Sequence, residues 1–186
     1  MTTTRQPLRI PRTAAALRLP LWQRGQTRMR ERWGFDLNTP DARDRVQQLV
    51  AANPSDADML LLRASVLATQ GDNHGAELEA RHALEFQPNL ARAHTTLATL
   101  LVQRGEQDEG LREARRAAEL DANDPTVQYN LGLAEFAAGN RSAANQAFDA
   151  AWKQLYGEVH EGGRPPWWRR IFRRGSVGTT RSEPKP

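Results

Sequence analysis

The chain has 186 residues, of which 39% are apolar, 26 are basic and 22 are acidic, and it contains no cysteine. This length and apolar fraction suit one domain with a modest core. The lack of cysteine excludes disulfides, thiolate metal sites, cysteine nucleophiles and lipid anchors on cysteine. No apolar run approaches the roughly 20 residues that cross a bilayer, so the sequence predicts a soluble or peripheral protein.

The net charge of +4 conceals an uneven distribution along the chain. Residues 1–30 hold seven arginines and no acid (+7), residues 31–161 hold 12 basic and 21 acidic residues (−9), and residues 162–186 hold seven basic residues and one acid (+6). Basic ends around an acidic centre favour contact with a phospholipid, a nucleic acid or an acidic protein surface. The alternative is that the ends fold against the acidic centre of the same chain.

Residues 1–38 form an N-terminal arm rich in arginine, threonine and proline. Pro7, Pro11 and Pro20 argue against one long helix, because an interior proline removes a backbone hydrogen bond. We therefore expect the arm to be extended or partly disordered. Its apolar residues could still dock on a partner or on the rest of the chain; they are Leu17, Leu19, Leu21 and Trp22. An organellar transit peptide also lacks acids, but the prolines interrupt the amphipathic helix that it needs.

A leading, capping helix is predicted over residues 39–54. Thr39 can cap this helix and Pro40 suits its first turn, while Val46 and Val50 share one apolar face. The proline at its end should stop it. We expect the helix to cover the first of the repeats that follow.

Small residues recur three times at a spacing of 34. One series is Ala64, Ala98 and Gly132, a second is Ala83, Ala117 and Ala151, and a third is Gly71, Gly105 and Gly139. This period is typical of a helix-turn-helix repeat whose units bury their apolar faces only by stacking. The units span about residues 57–90, 91–124 and 125–158, with Ser55 and Asn73 as candidate helix caps.

These repeats resemble the tetratricopeptide repeat (TPR) family. The resemblance implies an all-α, right-handed helical-hairpin solenoid of about three units, with the leading helix and basic, partly disordered tails. The resemblance is strong at the positions of small residues. The chain departs from the family pattern where it has polar residues in place of large apolar ones. Arg63 stands where the family prefers leucine, His94 and Gln128 where it often has tryptophan, and Glu135 where it often has tyrosine.

In this family the first helix of each unit lines a concave groove that binds a partner protein or peptide. The resemblance places in the groove Leu61, Ser65, Thr69, Arg92, Thr95, Thr99, Tyr129, Leu133 and Phe136. This surface suits an extended or helical peptide with apolar anchors. A clamp for the C-terminal carboxylate of chaperones is not expected, because its positions carry no lysine; they hold Leu61, Ser65, Thr96, Thr126 and Asn130.

A second candidate interaction site lies in the C-terminal tail, residues 159–186. After a linker with paired glycines and paired prolines comes the 167–174 motif: Trp167, Trp168, Arg169, Arg170, Ile171, Phe172, Arg173 and Arg174. As a helix, the motif would separate an aromatic face from a cationic one, which is favoured at lipid headgroups. It could bind an anionic membrane surface, fold back as a cap on the last repeat, or contact a protein or nucleic acid.

No catalytic residue, metal site or cofactor is predicted, since the four histidines lack close metal-ligand spacing and no glycine-rich phosphate loop precedes a lysine. The leading hypothesis is a non-enzymatic bacterial adaptor or assembly chaperone in the cytoplasm. Its tail would place the complex at the inner membrane or at a secretion or pilus machine. The alternatives are a nucleic-acid or ribonucleoprotein scaffold that uses the arginine-rich tails, and self-association through uncapped ends. An organelle is the alternative compartment.

Overall fold

The computed structural model describes residues 12–37 and 39–157, and these residues form eight α-helices. The helices are α1 (Arg12–Trp33), α2 (Ala42–Ala52), α3 (Ala57–Thr69), α4 (Asn73–Phe86), α5 (Ala91–Arg104), α6 (Gln107–Leu120), α7 (Pro125–Ala137) and α8 (Arg141–Tyr156). No strand occurs within these two ranges, and none of their helices is long and apolar enough to cross a membrane. The 167–174 motif lies outside the described residues.

Six of these helices form three consecutive hairpins, α3–α4, α5–α6 and α7–α8. The first helices of the hairpins begin at Ala57, Ala91 and Pro125, which are 34 residues apart. These first helices contact one another in order, each second helix packs on the next first helix, and α2 packs on α3. The predicted all-α solenoid of stacked hairpins is confirmed.

Small side chains let the helices of the solenoid approach closely. Ala64 and Ala98 are fully buried where the helices of their hairpins meet. At Gly132, an added Cβ would lie 2.5 Å from the Phe148 ring. The ring therefore packs directly on the backbone of α7, and the site has no room for a larger residue.

The turn inside each hairpin places a glycine in the left-handed region of the backbone. Gly71, Gly105 and Gly139 have φ angles of +86°, +89° and +86°. Glycine adopts this conformation without the strain that a Cβ would cause. These glycines therefore end the first helix of each hairpin.

The helix caps differ from the predicted ones. The Asp56 carboxylate accepts hydrogen bonds from two amides at the start of α3, and that of Asp72 accepts one at the start of α4. The predicted caps, Ser55 and Asn73, are each one residue away from the observed cap. Thr39 donates its hydroxyl to a carbonyl three residues earlier, and α2 begins later than predicted. Serine, threonine, asparagine and aspartate cap almost equally well, so the sequence leaves the choice open by a residue or more.

Three polar residues at positions where the TPR resemblance expects large apolar side chains have polar partners. The pairs are Arg63 with Glu79 (2.5 Å), His94 with Glu113 (2.6 Å) and Glu135 with Arg115 (2.9 Å). A buried charge without a partner is costly. The pairing therefore accounts for how these substitutions fit in the solenoid.

The structure differs from the sequence-based expectation over residues 12–33, where the expected extended arm is the 22-residue helix α1. Pro20 and Gly25 lie inside this helix, and together they disfavour it by about 4 kcal/mol relative to alanine. Docking opposes this cost, because α1 contacts α7 and α8 and its Leu21 is only 8% exposed. Tertiary packing thus overrides the local effect of the proline and the glycine.

Candidate peptide-binding groove

The first helices of the hairpins, α3, α5 and α7, present one shared surface to α1, which we call the inner face. A cavity of about 360 Å³ lies between α1 and this face. Five of the nine predicted groove residues line it: Leu61, Ser65, Thr69, Arg92 and Thr95. From the other side, α1 and the segment after it contribute Gly25, Arg28, Arg32, Trp33 and Leu37. A helix of the same chain therefore covers the inner face.

An aromatic cluster forms the α7 end of the inner face. The rings of Tyr129 and Phe148 lie 5.9 Å apart, with Leu133 and Phe136 packed against them. Leu21 of α1 is buried in this cluster. The three predicted groove residues of α7 are thus brought together around an apolar anchor that comes from α1.

Thr99, the ninth predicted groove residue, joins α5 to α7. Its hydroxyl donates to the Thr95 carbonyl (2.9 Å) and lies 3.1 Å from Oδ1 of Asn130. The side-chain amide of Asn130 donates in turn to the Thr126 carbonyl (2.8 Å). Asn130, the most polar residue at the carboxylate-clamp positions, is therefore engaged within the solenoid.

Two ion pairs join α1 to the N-terminal ends of inner-face helices. Arg28 donates to Asp124 at the start of α7 (3.4 Å), and Arg32 donates to Asp58 in the first turn of α3 (2.5 Å). Arg92 pairs with the same Asp58 carboxylate. Both α1 arginines are 51% exposed, so each pair contributes about 0.2–1 kcal/mol. The two pairs therefore orient α1 on the inner face but add little to the free energy of its docking.

Asp124, at the start of α7, carries a negative charge near neutral pH. Burial raises the pKa of its carboxyl, but the hydrogen bonds from Thr126 and the charge of Arg28 together lower it by more, so the pKa lies below its usual value of 3.8. The Thr126 amide donates to the carboxylate at 2.6 Å, which also caps α7. Near neutral pH, Asp124 is therefore ionised and able to pair with a guanidinium group.

Two carboxylates on the inner face have arginine partners. Asp58 forms ion pairs with Arg32 and Arg92, and Asp124 forms one with Arg28. Across the described ranges, no three histidine, aspartate or glutamate side chains are grouped so that they could hold a metal ion. The inner face carries an aromatic cluster that packs around Leu21, and two acidic side chains that pair with arginines of α1.

The sequence did not predict these two carboxylates or the inward-facing side of α1. The sequence does contain a signal for the inward-facing side of α1, because five residues spaced by three or four positions share one helix face. They are Arg18, Leu21, Gly25, Arg28 and Arg32. The prolines in the arm masked this signal, since they favour an extended chain.

Comparison with known proteins agrees with this architecture. The sequence model of the tetratricopeptide repeat family matches residues 37–91 and 95–155, which is more than half of the chain. The chain belongs to the tetratricopeptide repeat family. No curated protein matches the TPR chain in sequence.

Solved structures share the fold of this TPR chain at low sequence identity. A crystal structure of MamA matches at 18% identity with a TM-score of 0.51, covering 61% of this chain and 62% of that one. A second MamA structure matches at 17% with a TM-score of 0.54, covering 76% and 85%. YrrB, described as a TPR protein with an unusual peptide-binding site, matches at 21% with a TM-score of 0.51, covering 63% and 60%. The chain thus spans about three fifths of the first MamA structure and of YrrB, and these likenesses show the fold alone.

Proposed function

We propose that this TPR protein is a non-enzymatic adaptor or assembly chaperone that holds a helical segment of a partner on its inner face. The observation that carries the proposal is α1, a helix from outside the repeats that docks on this face through Leu21, Arg28 and Arg32. A surface that accepts one such helix has the shape and chemistry to accept another. Family membership supports the same role, because TPR proteins generally serve as scaffolds that bind other proteins.

The groove residues divide into two groups in the proposed complex. Tyr129, Leu133 and Phe136 receive an apolar anchor, and aromatic pockets of this kind supply much of the affinity at interfaces. The cavity-lining group contacts the next turns of the bound helix; it comprises Leu61, Ser65, Thr69, Arg92 and Thr95. Thr99 maintains the spacing of α5 and α7 between the two groups.

The arginines of the arm fit this adaptor better than a nucleic-acid scaffold. Arg28 and Arg32 pair with carboxylates of the same chain. Residues 39–157 hold 11 basic and 17 acidic residues, a net charge of −6, and such a surface repels a phosphate backbone. The 167–174 motif could in addition place the complex at a membrane or a secretion machine, and the chain could associate with itself. The adaptor function requires neither.

Photo-crosslinking in the native cell tests the proposed groove. A benzophenone amino acid replaces Thr69, an exposed residue at the cavity, and a matched variant carries it at Arg112, an exposed residue of α6. We expect the Thr69 variant to capture a discrete second protein that the Arg112 variant does not. Capture at Arg112 alone, or only adducts within the chain at Thr69, would overturn the inner face as a partner site.

A further inference from the structure

α1 turns one stripe of residues toward the inner face. The stripe consists of Arg18, Leu21, Gly25, Arg28 and Arg32. Leu21 enters the aromatic cluster, and the last two arginines reach the carboxylates at the starts of α7 and α3. The contacts form a simple recognition pattern, in which an apolar anchor is followed by arginines seven and eleven positions later.

α1 is held less firmly than the helices of the hairpins. Leu21 is the one buried side chain among those of α1 that the structure describes. Pro20 and Gly25 weaken the helix itself, and no acidic residue stabilises its first turn. Among the described side chains of α1, only the partly buried Trp33 packs against the largest core cluster, which is built around α2 to α5. α1 can therefore leave the inner face while the hairpins stay folded.

α1 also fills the inner face incompletely. Gly25 borders the cavity of about 360 Å³, and a Cβ added to it would meet no atom within 4 Å. The lining of this cavity includes the apolar side chains of Leu61, Leu62 and Val127. A large apolar side chain at this position of a docked helix would bury surface that the glycine cannot.

We propose that α1 is a built-in occupant of the groove, and that the partner displacing it is a basic helix with the same stripe and a large apolar side chain in place of Gly25. This rests on the proposed function and narrows it to one class of partner. Charge complementarity supports it, because residues 12–33 hold six arginines and one glutamate against the net −6 of residues 39–157. Filling the cavity gives the partner an advantage that offsets the high effective concentration of the tethered α1.

Binding of synthetic peptides to the full chain tests this preference. The probe is a labelled peptide with the sequence of residues 12–33. The receptor is the full-length chain with Leu21→Asp, which puts a charge into the aromatic cluster and releases α1; circular dichroism checks that the hairpins stay folded. Three further peptides carry Gly25→Ala, Gly25→Leu, or Arg28→Glu together with Arg32→Glu. The alanine peptide is the matched control, because it gains helix propensity while adding little apolar surface.

We expect the Gly25→Leu peptide to bind about tenfold more tightly than the Gly25→Ala peptide, because it buries more apolar surface. The charge-reversed peptide should bind at least about tenfold more weakly than the probe, since its glutamates face Asp58 and Asp124. The wild-type chain should bind every peptide at least about tenfold more weakly than the Leu21→Asp chain, because its own α1 competes. A chain with Gln23→Asp, on an exposed side of α1, should behave as the wild type.

Each contrary result removes a defined part of the proposal. Equal affinities of the Gly25→Leu and Gly25→Ala peptides would overturn the cavity as a side-chain site. Equal affinities of the wild-type and Leu21→Asp chains would overturn α1 as the occupant, and no binding of any peptide would overturn the inference as a whole. If the Thr69 crosslink then captured a partner through a segment that is neither basic nor helical, the adaptor function would stand and only this class of partner would fail.

Discussion

The hairpin helices and α1 belong to one chain but are held by different kinds of contact. The hairpins bury Leu60, Leu97 and Leu101 at 0–1% exposure, whereas α1 buries Leu21 and adds two half-exposed ion pairs. Close apolar packing within the hairpins is lost only when they unfold. The contacts of α1 are ones that another helix can reproduce. The hairpins form a tightly packed scaffold, and α1 is docked on its surface.

The core of the hairpins is where we expect the largest loss of stability. Leu101→Ala should lower the free energy of unfolding by about 2–5 kcal/mol, because it removes apolar contact and leaves a cavity. Leu78→Ala is the matched control, since Leu78 is 54% exposed, and its effect should stay within about 0.5 kcal/mol. Urea unfolding followed by circular dichroism measures both. Equal losses would contradict the view of the hairpins as a tightly packed scaffold.

Two glycine substitutions, one in a hairpin and one in α1, should change stability in opposite directions. Gly132→Ala should destabilise the third hairpin by about 1–3 kcal/mol, because its Cβ would collide with the Phe148 ring. The Cβ that Gly25→Ala adds would have no atom within 4 Å. This substitution should therefore stabilise α1 by about 1 kcal/mol through helix propensity. Thermal unfolding measures the first, and amide hydrogen exchange of residues 12–33 measures the second. A neutral Gly132→Ala would mean that α7 and α8 are less tightly packed than the structure shows.

Leu21→Ala should release α1 while leaving the hairpins folded. The lost burial is worth about 1.5–3 kcal/mol, and Leu21 is the one buried side chain among those of α1 that the structure describes. Because the chain has no cysteine, Thr27→Cys and Gln103→Cys introduce a unique pair of labelling sites on α1 and α5. Electron spin resonance should show a narrow distance distribution that broadens with Leu21→Ala. The distribution should stay narrow with Arg24→Ala, an exposed residue of α1; a narrow distribution in both variants would refute Leu21 as the anchor.

The ion pair of Arg28 with Asp124 should have the smallest effect. Because folding lowers the pKa of Asp124, its carboxylate contributes stability that is present above the usual value of 3.8 and is lost as the pH falls through the lower folded value. Asp124→Asn keeps a capping side chain but removes the charge. Its unfolding free energy should lie about 1 kcal/mol or less below that of the wild type at pH 7, and the two should converge as the pH falls through the lowered pKa of Asp124. A gap that widens in acid would contradict this sign.

The repeats were predictable because their signal is periodic and local. Ala64, Ala98 and Gly132 mark the same close approach in each hairpin, and the glycine turns follow from the backbone conformation that a hairpin requires. The inner face was predictable in part from the TPR resemblance, which pointed to residues at the cavity and at the aromatic cluster. Asp58 and Asp124 were missed because a carboxylate near a helix start looks like an ordinary cap until an arginine from elsewhere meets it.

The solenoid follows from the sequence alone, because a period of 34 residues with small residues at the helix contacts can bury its apolar surface only by stacking hairpins. Only the tertiary structure decided that residues 12–33 are a helix and where that helix lies. Locally, Pro20 and Gly25 oppose a helix. Favourable contacts that the structure describes include Leu21 in the aromatic cluster and Arg28 with Asp124, 96 positions away. Local propensity contains no information about a contact between segments so distant in the chain.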